Sequence, residues 1–230
     1  MNFKFGTTVF LVFLFLFSCI QSAPAEEGRY IITRDENNML IIIRRDNPPP
    51  RLLYRPEGTP IFGAPQVTME QCVDYIRSVN PNPKLQCTLE ELVRFYYEEA
   101  ANEGIRADLA VCQAIKETGF FNYGGDVVPE QNNYCGLGTT GGGVKGAYFE
   151  SPRIGIRAQI QHLLGYASDR TPFYPIVDPR YELLKTFSSK FAQCSTWESL
   201  NGNWAVPGVG YGESIVKILD NIKAFQAPER

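Results

Sequence analysis

Residues 88–119 read TLEELVRFYYEEAANEGIRADLAVCQAIKETG, and this stretch decides the fold. Thr88-Leu89-Glu90-Glu91 is a capping box, in which a threonine and a glutamate three residues on satisfy each other's orphan amides at a helix start. Leu92, Phe95, Tyr96 and Ala100 then fall on one helical face. Gly104 is the expected C′ residue, because glycine takes a left-handed helix exit without strain. A further helix runs from about Ala107 to Thr118, with Ala110, Val111, Ala114 and Ile115 apolar, and Gly119 closes it.

Similar punctuation extends outward. Thr68-Met69-Glu70-Gln71 is another capping box and opens a helix to about Asn80. Ser151-Pro152 supplies an N-cap and a first-turn proline for a helix to about Ser168. Ser195-Thr196-Trp197-Glu198 caps a short helix, and Tyr211 to Phe225 forms the last. Strand signals nearly vanish after residue 66, so the domain reads as mainly α. Residues 119–150 are different: they hold nine glycines and no helical period. A loop that long inside a compact domain is usually functional.

The N-terminal part reads otherwise. Lys4, the apolar run Val9 to Phe17 and the exit Ala23-Pro24-Ala25 describe a secretory signal peptide over residues 1–25. The run is too short to span a bilayer, which takes about 20 helical residues. Leu16-Phe17-Ser18-Cys19 offers a competing lipoprotein box, which would tether the protein to a membrane through Cys19. Phe17 fits that box poorly, so soluble export to the cell exterior or wall is the favoured reading. Residues 26–66 are expected to form a β-hairpin around Asp35-Glu36-Asn37-Asn38, then a stiff linker with Pro48-Pro49-Pro50. The main domain is expected over 67–226, with a tail at 227–230.

Composition excludes several functions. At 230 residues, 44% hydrophobic and 20% charged, the chain can bury an ordinary core. A net charge of -3 leaves no basic surplus to neutralise phosphates, which argues against nucleic acid as a partner. With His162 as its single histidine, the chain cannot build a multi-histidine zinc site. A serine triad would have to use His162, which lies beside the stripe Ile156, Ile160, Leu163 and Ala167 and reads as a packing or surface residue. Export would leave Cys72, Cys87, Cys112, Cys135 and Cys194, an odd number without any C-x-x-C spacing. Cys72 and Cys87, flanking a turn-rich segment, are the expected disulfide. The alternative is five buried, inert thiols. Gly136-Leu137-Gly138-Thr139-Thr140-Gly141 spells G-x-G-x-x-G, but it follows no strand and opens no helix, so the dinucleotide context is missing. No metal or cofactor is expected.

Glu117 stands out chemically. It ends an apolar helix beside the glycine-rich segment, near Ile115, Phe120 and Phe121. The negative helix end and apolar neighbours both disfavour its charged form and raise its pKa. A carboxyl still protonated near neutrality can protonate a glycosidic oxygen. The plainer reading is a solvated side chain with no role.

Several ordered stretches resemble the glucosaminidase family of peptidoglycan hydrolases. They include Gln113 to Gly119, Gly124-Gly125-Asp126 through Tyr134, Gly136 to Gly146, Ile154 to His162, Trp197 to Gly208, and Tyr211-Gly212. The resemblance covers residues 67–223. It implies a lysozyme-like helical fold, cleavage of the β-1,4 bond at N-acetylglucosamine in bacterial peptidoglycan, Glu117 as general acid and Tyr211 as a functional tyrosine. Family members carry a second carboxylate on a hairpin that is shortened here. Asp126, Glu130 and Glu150 are its candidates in that order, unless the sugar's own acetamido group takes the role. Gln113, Glu130, Asn132, Asn133 and Tyr134 are the candidate sugar-binding residues, although asparagines in turns often cap only their own backbone. Trp197 and Trp204 read as core. The expected protein is thus a secreted, monomeric β-N-acetylglucosaminidase. Alternatives are a lytic transglycosylase of the same fold and a catalytically silent wall-binding module.

Overall fold

A computed structural model describes residues 30–34, 40–44, 57–139 and 142–227. The signal segment, Cys19, the proline-rich linker and all but the first residue of the expected tail lie outside the described residues. The chain divides into two compact units, 1–46 and 47–230. In the first, β1 (Tyr30–Arg34) pairs antiparallel with β2 (Leu40–Arg44), Tyr30 opposite Arg44 and Arg34 opposite Leu40.

The second unit is helical. Its elements are α1 (Met69–Val79), α2 (Leu89–Glu103), α3 (Ala107–Thr118), α4 (Pro152–Ala167), α5 (Tyr181–Phe187) and α6 (Tyr211–Ala224). Both capping boxes form, with Thr68 and Thr88 each accepting from the amide of the N3 residue. Gly104 and Gly119 take left-handed φ values of 68° and 56° at the ends of α2 and α3. The central element is α3, which packs against α1, α2 and α6. Leu109, Ala110, Val111, Ala114 and Ile115 are fully shielded from water. Each buried leucine or isoleucine contributes about 1.5–3 kcal/mol over exposure, so this helix anchors the core.

Two expectations are corrected here. The five cysteines are all free thiols, and no bridge joins Cys72 to Cys87. Cys72 is buried on α1, where its sulfur meets the Tyr97 hydroxyl at 3.6 Å. Burial pushes its thiol pKa up to about 12, so it stays protonated and inert. The helical domain also begins ahead of residue 67. Ile61 is fully buried, its amide donates to Ser195 O at 3.1 Å, and its carbonyl accepts from the Arg106 amide at 2.9 Å. The Thr59 amide donates to Glu198 Oε2 at 2.7 Å. These links tie residues 59–63 to the turn between α2 and α3 and to the segment 195–198.

The short helix α5 has no counterpart in the sequence reading. It turns only Tyr181 and Leu184 inward, too few positions to show a period. Its start is set by Asp178, whose carboxylate accepts from the Arg180 amide at 2.8 Å.

Candidate active site

Glu117 sits in the last turn of α3 and opens on a cavity of about 320 Å³ lined also by Tyr123, Asp126, Gly136 and Thr139. Its side chain reaches water through the mouth of that cavity, yet protein crowds it on the other sides. That desolvation raises its carboxyl pKa above the ordinary carboxylate value. The Tyr211 hydroxyl, which donates to Glu117 Oε1, and the Lys116 charge both favour the ionised form, and neither outweighs the desolvation. The result is a carboxyl with a raised pKa, held in place by Tyr211 at a cavity wall.

Tyr211 is fixed from behind by a buried chain of hydrogen bonds. The Tyr96 hydroxyl donates to Gln159 Oε1 at 2.6 Å. Gln159 Nε2 donates to Gln113 Oε1 at 2.8 Å, and Gln113 Nε2 donates to the Tyr211 oxygen at 2.9 Å. Each amide accepts at one end and donates at the other, so the chain has one direction. The Tyr211 hydroxyl already accepts from Gln113, and its own proton points to Glu117. Gln113, expected to bind sugar, is therefore corrected to a positioning residue: it is fully buried and both its polar atoms are used. Gly212 makes the placement possible. A Cβ there would stand 2.1 Å from Trp197 O, so only glycine lets the first turn of α6 seat this closely.

The glycine-rich loop is built by side-chain amides in place of a sheet. Gln131 Nε2 donates to the carbonyls of Lys145 and, at 3.2 Å, Ala147. Asn132 Nδ2 donates to Phe149 O at 3.0 Å, and Asn133 Nδ2 to Leu137 O at 2.9 Å. Asn133 Oδ1 accepts from the Leu137 amide at 2.9 Å. Three consecutive amides thus hold the returning segment 145–149 in place. Asn132 and Asn133 were expected to bind sugar, but they are buried and their amides face inward, so they brace the loop instead. Tyr134 is corrected likewise: it is 1% exposed, with its ring edge-on to Tyr96 and Phe121.

Of the three candidate second carboxylates, Asp126 lines the cavity with Glu117. Glu130 is exposed one residue into a short 3-10 turn, and Glu150 is exposed just before α4. Neither lines that cavity.

Tyr123 is a cavity residue that sequence reasoning missed. Gly119, Phe120, Phe121 and Tyr123 all take left-handed φ values between 56° and 59°. Non-glycine residues in that region cost roughly 1–2 kcal/mol each. Tertiary bonds hold the run: Asn80 Nδ2 donates to Phe120 O at 2.7 Å, and the Lys84 amide to Phe121 O at 3.0 Å. The strain brings Tyr123 to the cavity wall with its hydroxyl buried and without a hydrogen-bond partner among the described residues. The available signal was an aromatic cluster directly after the helix stop.

Trp197 is fully buried as expected, whereas Trp204 is only partly covered and lines a second cavity with His162. His162 itself packs edge-on between the rings of Tyr166 and Trp204, and its Nδ1 lies 2.7 Å from Asp178 Oδ2. Among the described residues no group of three or more His, Cys, Asp or Glu is placed to hold a metal ion.

A carboxyl with a raised pKa and a second carboxyl group on the wall of the same open cavity are the equipment of a glycosidase, in which one acid protonates the departing sugar oxygen. Comparison with known proteins gives the finer placement. The chain belongs to the glucosaminidase family: the profile described as mannosyl-glycoprotein endo-beta-N-acetylglucosaminidase matches residues 93–224. A relative from Borreliella burgdorferi, described only as an uncharacterized protein, is 34% identical over 151 residues, covering 66% of this chain and 71% of its own. No solved structure matched the chain. Membership in this family supports a glycosidase whose substrate is peptidoglycan.

Proposed function

We propose that the protein is a secreted β-N-acetylglucosaminidase with a lysozyme-like fold, hydrolysing the β-1,4 bond at N-acetylglucosamine in peptidoglycan strands. The observation that carries this reading is Glu117, a desolvated carboxyl held by Tyr211 at the wall of an open cavity. In the proposed reaction Glu117 gives its proton to the glycosidic oxygen as that bond breaks. Asp126, on the same cavity, supports the developing positive charge at the sugar carbon or activates the water that completes hydrolysis. Tyr211 then stabilises the carboxylate that Glu117 becomes, since its hydroxyl already points there. Export rests on Lys4, the apolar run Val9 to Phe17 and the exit at Ala23-Pro24-Ala25.

The test is digestion of purified peptidoglycan by the mature protein and by Glu117→Gln, with the released ends identified by mass spectrometry. Reducing N-acetylglucosamine ends from the wild type alone are the expected result. Anhydro-muramic ends would replace hydrolysis by transglycosylation, and equal products from both proteins would remove Glu117 from the mechanism.

A further inference from the structure

Gly136 and Thr139 line the Glu117 cavity and also line the second cavity, of about 530 Å³, so the two meet at this loop segment. Their charges are opposite. Among the described residues the first is lined by Glu117 and Asp126 and by no lysine or arginine. The second is lined by Arg180 and Lys190, with His162 beside them, and by no aspartate or glutamate among the described residues.

The second cavity has the marks of a built site. Lys190 Nζ is held on the carbonyls of Gly202 and Asn203, both at 3.1 Å, which fixes its charge at the wall. His162 is held by fully buried Asp178, and its Nε2 has no protein partner among the described residues. Tyr166 and Trp204, with ring centroids 5.6 Å apart, form an aromatic wall. Arg180 makes no ion pair among the described residues and leaves its guanidinium available. A guanidinium matches a carboxylate with two parallel hydrogen bonds, which a lysine cannot do.

We propose that this second cavity binds a carboxylate carried by the glycan strand on its lactyl-peptide substituent, and so sets the register of the strand over Glu117. The inference rests on the peptidoglycan reading above. In peptidoglycan the sugar next to N-acetylglucosamine bears a lactyl ether, usually extended by an acidic peptide. An acid poised over a bond at N-acetylglucosamine therefore has a carboxylate-bearing neighbour one sugar away. A neutral polymer of N-acetylglucosamine alone would leave Arg180 without a partner, and the cavity would discriminate against it.

Three soluble probes test this on the full mature chain by calorimetric titration: a disaccharide-peptide from peptidoglycan, the same disaccharide stripped of peptide, and the neutral N-acetylglucosamine dimer. The disaccharide-peptide should bind about tenfold or more tightly than the neutral dimer, with the advantage shrinking in high salt. Arg180→Ala should remove that advantage and Arg180→Lys restore only part of it. Alanine keeps the turn, because the bond to Asp178 comes from the Arg180 backbone. Removing the peptide frees the lactyl carboxylate, so Arg180-dependent binding of the stripped disaccharide as well would mean that the cavity accepts a carboxylate at the lactyl position too. Its absence would assign the site to the peptide carboxylates alone. Equal binding of the disaccharide-peptide and the neutral dimer, or no response to Arg180→Ala, overturns the proposal. The titrations are run on the Glu117→Gln background so that binding is read without turnover. Absence of strand cleavage by the wild type with this preference intact would refute the hydrolase reading alone.

Discussion

In α3 the backbone satisfies itself through local helical bonds, and nearly every side chain faces the core. In the loop that follows, backbone carbonyls of Leu137, Lys145, Ala147 and Phe149 are satisfied by the side chains of Gln131, Asn132 and Asn133. The helix carries Glu117, the proposed acid, and the loop supplies cavity walls and Asp126, the proposed second carboxylate. One part is stiff because its bonds are local. The other is stiff only while a few long-range amide contacts survive. Chemistry and shape are therefore separable by mutation.

Glu117→Gln attacks the helix's contribution alone. Loss of a general acid lowers the rate by about 10²–10⁴-fold, with the fold unchanged. Reducing-end release and far-UV circular dichroism check the two halves of that statement.

Gly155→Ala attacks the seat of the loop on α4. The new Cβ would lie 1.7 Å from Asn132 O, a backbone atom that cannot yield without moving the loop. A cost of about 3 kcal/mol or more, and a fall in Tm of roughly 5 °C or more, is expected by thermal unfolding.

Gln131→Ala reaches the loop without touching α4. It strips the Val128 amide and the carbonyls of Lys145 and Ala147 of a partner, for about 1–3 kcal/mol. Amide exchange should quicken over residues 142–149 and stay slow in α3. Equal quickening in both would erase the distinction drawn above.

The smallest effect concerns stability. A carboxyl whose pKa is raised by folding contributes stability that is complete below its unfolded value, about 4.3, and lost as pH rises through its folded value. Above that window the ionised Glu117 opposes folding. Glu117→Gln should therefore raise Tm at neutral pH by about 1–3 °C, with the gain vanishing in acid.

The same contrast explains what could be read from the chain alone. Thr68, Thr88, Gly104, Gly119 and Pro152 mark helix ends through contacts within four residues, so the helices were legible. Gln131, Asn132 and Asn133 act on carbonyls 4 to 17 residues ahead, and no local rule distinguishes a bracing amide from a sugar-binding one. Arg180 and His162 meet in one cavity only because α4, the turn at Asp178 and α5 converge there. The pairing of Tyr211 with Glu117 spans 94 residues, and only family resemblance pointed to both. The Tyr96–Gln159–Gln113 chain behind them left no sequence signal.

The most direct test of the central claim follows the proton on Glu117. Its carboxyl can be titrated by carbon-13 NMR while kcat/KM on soluble strands is followed against pH. Glu117 should titrate above the ordinary carboxylate value, with activity falling as pH passes through that same point. Tyr211→Phe removes a bond that favours the ionised form, so both transitions should move to higher pH together. A Glu117 that titrates at or below the ordinary value, or an alkaline limb that ignores Tyr211→Phe, would contradict the account.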